Sequence, residues 1–243
     1  MFPVKYPVEQ TDPPRSPKET LPTMYDLPSE DPEEPGLPDE YHYLQPQLLS
    51  LTFRPAGYPP LQLFSAGDLN LYYDPHNPNW YKRPDWFAVV GVPRLYEQRD
   101  LRLSYVVWQE GVSPFVVVEL LSPGTEKEDL GQTTREVNQP PSKWFVYEQI
   151  LRIPYYVVFD RYTNQLRGYA LQGGRYQELD LQPPRVWMPA VELGLGVWRG
   201  VYQGIERQWL RWYDAQGNWI STEAEAAQQQ AEIAEQRVEI AEQ

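Results

Sequence analysis

The chain has 243 residues, no cysteine and a formal net charge of −13. That length allows one sizeable core with tails left over, and the lack of cysteine excludes disulfides and thiolate-rich zinc sites. No apolar run approaches the roughly 20 residues of a membrane-spanning helix, and the opening "MFPVKYPVEQTDPP" is not of signal-peptide type. A cytoplasmic protein with no membrane association is expected.

The acidity sits at the two ends. Residues 1–41 carry 3 basic and 10 acidic side chains, and residues 222–243 carry 1 and 6, which leaves 17 and 18 for residues 42–221. The centre is close to neutral, so the overall charge leaves room for a nucleic-acid partner that meets a local basic face.

In chain order, residues 1–38 come first, with 10 of the 26 prolines and many acids. Such a segment cannot offset its chain entropy by burying apolar surface, and proline prevents regular helix. An extended arm is expected, draped over the domain by Tyr25, Leu27 and their neighbours. Strands dominate next: 67–74 alternates, and 85–92 and 103–109 are rich in β-branched and aromatic residues. "FVVVELL" (115–121) is almost wholly apolar, as a central strand covered on both faces would be.

"TEKEDLGQTTREVNQ" follows. Thr125 and Glu128 fit a capping box, and acids fill the first turn of a predicted helix. Pro140 and Pro141 end it, and Ser142 caps a second helix, "KWFVYEQILR". That helix leads into the apolar strand "YYVVFD". Strand, helix and strand in this order imply a parallel pair. Residues 165–181 form a hairpin turning at Gly173-Gly174, and "RQWLRWYDAQGNWI" suggests another. The expected fold is α/β or α+β: a mixed sheet flanked by helices, with added hairpins.

Residues 222–243 are rich in helix formers. Thr222 and Glu225 fit a capping box, and Ala231, Ile233 and Ala234 recur seven residues later as Val238, Ile240 and Ala241. That step suggests a short coiled coil and self-association, a dimer first; a solvated helix fits the composition equally. The organisation read from the chain is therefore an arm (1–38), a central domain (39–221) and a helical, coiled-coil-like tail (222–243).

One residue stands out. Glu119 sits inside the apolar strand, where an ionised carboxylate loses hydration unless something compensates. It could reach solvent at the strand end or pair with an arginine. Alternatively, it could act with Asp85, at the start of a neighbouring strand, to hold a divalent cation, which needs only one or two protein carboxylates. A lysine on a following helix could then orient water or neutralise developing charge.

The motifs "RPDW", "VVVELLSPGTEKEDL" and "KWFVYEQILRIPYYVVFD" resemble the Uma-two family of restriction-endonuclease-like proteins in the PD-(D/E)XK nuclease superfamily. The likeness covers roughly residues 40–180. It implies a restriction-endonuclease-like core and Mg²⁺- or Mn²⁺-dependent cleavage of DNA phosphodiesters. Asp85 would be the PD aspartate and Glu119 the second acidic metal ligand, with the backbone carbonyl of Leu120 completing the site. The superfamily's lysine normally lies two residues after the glutamate, where this chain has Leu121. The resemblance moves that role to Lys143, four residues before Tyr147, with Lys127 as the competitor. Glu40, on an upstream helix, would add a further acid. The alternative is a nuclease fold without catalysis, acting as a binding or scaffold protein that assembles through its C-terminal helix.

Overall fold

The apolar run around Glu119 becomes the centre of the largest sheet. The structure, a computed structural model, describes residues 12–15, 38–122, 124–133 and 139–241. The six strands of that sheet are, in spatial order, β1 (Leu63–Ala66), β4 (Trp86–Val90), β6 (Val116–Leu120), β7 (Tyr155–Asp160), β8 (Gln165–Gln172) and β9 (Arg175–Glu178). β6 and β7 run parallel, with Glu119 opposite Val158, as the strand–helix–strand order implies. The other neighbours are antiparallel. β6 is buried at every position because both of its faces are covered.

Two three-stranded sheets flank this core. One consists of β2 (Leu71–Tyr72), β3 (Tyr81–Lys82) and β5 (Tyr105–Val106). The other consists of β10 (Arg185–Met188), β11 (Leu193–Tyr202) and β12 (Ile205–Tyr213). Five helices complete the described residues: α1 (Glu40–Thr52), α2 (Val107–Glu110), α3 (Glu126–Asp129), α4 (Lys143–Phe145) and α5 (Glu223–Ala241). α4 widens into a π-helical turn, Val146–Ile150. The result is a mixed α/β fold of the restriction-endonuclease-like kind.

The chain divides into two units, Met1–Tyr43 and Leu44–Gln243. In the first, His42 Nδ1 pairs with Asp39 Oδ1 at 2.8 Å. The arm expected over 1–38, with Tyr25 and Leu27, lies outside the described residues except for 12–15 and 38. In the second unit, one apolar cluster links Phe87, Val89, Val117, Tyr147, Tyr156 and Val158, and Leu121 packs against it. On the other face of β4, the fully buried Trp86 meets Phe53 and Trp212.

Several local expectations change. The strand predicted over 103–109 stops after Val106, and Val107–Glu110 coil into α2. Gly111, with φ +73°, closes that turn by donating its N–H to the Val107 carbonyl. Of the strand predicted over 67–74, only Leu71–Tyr72 pairs. The helix predicted after Thr125 is a single turn, and residues 134–138 lie outside the described ones. Thr125 makes no capping bond to that turn. Its hydroxyl meets that of Ser122 at 3.2 Å. Glu128 turns instead to the main chain of α4.

Other expectations hold. Ser142 caps α4, accepting from the Phe145 N–H at 3.3 Å. Gly173 and Gly174, at φ +59° and +85°, supply the two positive φ values that a tight hairpin turn needs. Thr222 and Glu225 bond reciprocally, at 2.7 and 3.2 Å, as a capping box does. β12 pairs along its whole length with β11, and the hairpin expected at its far end is short: Tyr213 bridges Trp219, flanked by hydrogen bonds from the Asp214 N–H to the Asn218 carbonyl and from the Ile220 N–H to the Trp212 carbonyl, both at 2.9 Å. Farther along α5, Ile233 and Ile240 are exposed.

Candidate active site

The site is built where β4 begins and β6 ends. β4 pairs antiparallel with β6, Trp86 opposite Val118. One residue beyond that pair, Asp85 lies beside Glu119. The two hold each other through main chain and side chain. The Asp85 N–H donates to Glu119 Oε2 at 3.2 Å, and the Leu120 N–H donates to Asp85 Oδ2 at 2.6 Å. Asp85 is half-buried. Glu119 is fully buried, at 0 % exposure, so it does not reach solvent.

α4 supplies the rest. Residues four apart on a helix share a face, and Lys143 and Tyr147 both reach Glu119. Lys143 Nζ lies 3.0 Å from Glu119 Oε2, and the Tyr147 hydroxyl donates to Oε1 at 2.9 Å. The partner of Glu119 is therefore a lysine rather than an arginine. The usual lysine position, Leu121, carries a side chain packed into the apolar cluster. Lys127 is exposed on α3. Glu40 is the exposed first residue of α1, in the other unit.

A fourth ionisable residue was not singled out in the sequence. Asp129, at the end of α3, is fully buried and sits with Oδ1 2.7 Å from Lys143 Nζ. Its carbonyl accepts from the Tyr156 hydroxyl at 2.7 Å. In "EKED" it looks like one of three helix-start acids, and no spacing separates it from Glu126 or Glu128. The signal for Tyr147 was stronger, since it stands one helical turn after Lys143.

The electrostatics follow from burial. Desolvation raises the Glu119 pKa well above the usual carboxylate range, and Asp129 and Asp85 add to the rise; Lys143 opposes it. Burial alone would lower the Lys143 pKa, but Asp129, Glu119 and Asp85 together raise it, so its ammonium stays charged. Burial, then the neighbouring Glu119, raises the Tyr147 pKa, which keeps its hydroxyl a donor.

The cluster offers carboxylate oxygens, the kind of donor that hard divalent cations take. Three carboxylates and one ammonium leave a formal −2 when all are ionised. One buried oxygen of the cluster, Asp129 Oδ2, has no hydrogen-bond partner. Among the described residues no three Asp, Glu or His side chains form a ready metal-binding group. Asp85 and Glu119 alone satisfy the one or two protein carboxylates that Mg²⁺ takes.

A mixed sheet whose central strand carries a buried glutamate next to its end, with an aspartate just before the neighbouring strand and a lysine delivered beside them, is the arrangement expected of a restriction-endonuclease-like protein. Comparison with known families agrees. Residues 16–202 match the Uma2 family, described as "Putative restriction endonuclease", and the chain belongs to that family. No curated protein matches the chain. Among the described residues no helix is long and apolar enough to cross a membrane.

Proposed function

We propose that the chain is a divalent-metal-dependent endonuclease that hydrolyses DNA phosphodiester bonds. The observation that carries this reading is the convergence of Asp85, Glu119 and Lys143 at one strand end, in a chain with Leu121 at the usual lysine position. Family membership supports nuclease chemistry.

Asp85, Glu119 and the main-chain carbonyl of Leu120 would hold Mg²⁺ or Mn²⁺. When bound, such an ion lowers the pKa of water and stabilises charge on a phosphoryl group. The protein's own groups do the rest. The Asp85 N–H and the Tyr147 hydroxyl fix the two oxygens of Glu119. Lys143 keeps a positive charge at the carboxylates, placed to neutralise charge that develops on a phosphate oxygen.

The test uses supercoiled plasmid, the full chain, and Mg²⁺ or Mn²⁺. The wild type should nick or linearise the DNA, and EDTA should stop it. Glu119→Ala and Asp85→Ala should each lower the rate by about 10²-fold or more. A wild type that leaves DNA intact with both ions, or a Glu119→Ala variant as fast as wild type, would refute the proposal.

A further inference from the structure

Most lysines that serve a strand glutamate from two residues away are aimed by the strand itself, because alternate side chains share a face. Lys143 lacks that support. It comes from the first turn of α4, on a flexible four-carbon stem that must give up rotamer freedom to hold one position. Left with Glu119 alone, its ammonium would be the private counter-ion of an intended metal ligand.

The end of α3 supplies a second hold. Glu128 and Asp129 are adjacent, and they grip the two ends of Lys143. Glu128 Oε1 accepts the Lys143 main-chain N–H at 2.8 Å, and Lys82 Nζ lies 3.4 Å from the same oxygen. Asp129 Oδ1 takes the Lys143 ammonium at 2.7 Å, closer than Glu119 Oε2 at 3.0 Å. Asp129 is itself fixed. It is fully buried, its N–H donates to the Thr125 carbonyl at 3.0 Å, and Tyr156 holds its carbonyl. The next turn is pressed against α4 as well: a Cβ on Gly131 would come within 2.8 Å of the Trp144 ring.

We propose that Asp129 is the positioning residue of this site. It holds the Lys143 ammonium between two carboxylates, its own and that of Glu119, so that a lysine brought from a helix stays at the strand end. The assignment rests on the nuclease reading above and extends it to a residue with no ligand role of its own. Asp129 acts through Lys143, and the Glu128–Asp129 pair makes the end of α3 part of the site.

The experiment compares wild type, Asp129→Asn, Asp129→Glu, Lys143→Met and the Asp129→Asn/Lys143→Met double variant, all as full chains with folding checked by circular dichroism. The first readout is plasmid cleavage with Mn²⁺. Asp129→Asn should lower kcat by about 10- to 100-fold, the scale of a misplaced group, with KM for DNA little changed. In the Lys143→Met background the same change should cost nothing further, whereas a merely structural role would add its loss there too. The second readout needs no activity: the rate at which acetic anhydride modifies Lys143, followed by mass spectrometry. Asp129→Asn should raise that rate several-fold over the other lysines, and Asp129→Glu should restore most of the protection. Unchanged kcat, an additive double variant, or unchanged acetylation of Lys143 would overturn the proposal. If Asp129→Asn does not fold, Asp129→Glu decides by the same acetylation readout: protection near wild type supports the assignment, and full exposure defeats it. If the wild type never cleaves DNA, the nuclease reading fails, while acetylation still tests whether Asp129 positions Lys143.

Discussion

Tyr147 and Lys143, one helical turn apart, hold opposite oxygens of Glu119: the tyrosine hydroxyl on Oε1 at 2.9 Å and the ammonium on Oε2 at 3.0 Å. One face of α4 thereby sets the orientation of a fully buried carboxylate. Tyr147→Phe should remove one hold and leave Oε1 short of a donor. Stability should fall by about 1–3 kcal/mol, the cost of an unsatisfied buried acceptor. Urea unfolding would measure this, and a loss below about 0.5 kcal/mol would show that Oε1 finds another partner. Mn²⁺ affinity, read by calorimetry, should weaken in the same variant because Glu119 gains freedom.

Removing the lysine poses a harsher problem. Lys143→Met would leave Glu119 and Asp129 buried, with no ammonium between them. Breaking a buried ion pair from one side costs about 3–5 kcal/mol. For a chain of this size, each kcal/mol corresponds to roughly 2–4 °C in Tm. Millimolar Mn²⁺ should return part of that loss by mass action. It should return more to Lys143→Met than to wild type, since the variant has more uncompensated charge. Equal Mn²⁺ effects on the two melting temperatures would contradict the charge arrangement described here.

The parts of the site that were legible in sequence share a cause. Glu119 interrupts a continuous apolar run, Ser142 stands at a helix start, and Lys143 and Tyr147 keep the spacing of the family motif that the chain resembles. Each is a local rule that the chain states within a few residues. Asp129 obeys no such rule. It lies in a run of acids, and only the packing of α3 against α4 decides that it turns inward while Glu126 and Lys127 face water. The same limit explains the capping box read at Thr125 and Glu128. The local pattern was present, but the main chain of Lys143 took the Glu128 carboxylate. The ten-residue strand β11 carries little strand signal in the sequence, because its glycines weaken strand propensity. Two of them are required by close packing: a Cβ on Gly194 or Gly200 would overlap the ring of Tyr213 or Trp198.

Gly131 offers a steric test of how α3 meets α4. Its φ of +69° disfavours any side chain, and an added Cβ would meet Trp144 at 2.8 Å. Gly131→Ala should destabilise the chain by more than about 1 kcal/mol. It should also shift Asp129 away from Lys143 and lower the cleavage rate more than a surface change of equal stability cost. Thermal melts and plasmid cleavage, run beside a control of matched Tm, would separate the two effects. Wild-type activity in Gly131→Ala would mean that the α3–α4 contact does not set the site.

The residue after Tyr147 ties the site to the sheet edge and gives the protein a pH response. Glu148 is buried, with Oε1 accepting the Tyr176 N–H at 2.7 Å. Its Oε2 accepts from Gln149 Nε2 at 2.7 Å and Arg175 Nη1 at 3.0 Å. Burial alone would raise its pKa, but these donors outweigh it and hold the pKa below the usual glutamate value. The unfolded chain titrates near 4.3. Because the folded pKa is the lower of the two, the stabilisation is fully present above the unfolded value and is lost as pH falls through the folded one. Glu148→Gln keeps one acceptor oxygen but turns its amide NH2 toward a donor, so it should be less stable than wild type at pH 7. As the pH drops from 6 to 3 the gap between the two should narrow, because wild type loses the interaction that the variant never had. Urea unfolding across that range would show the convergence. Parallel stability curves would mean that Glu148 does not titrate with folding.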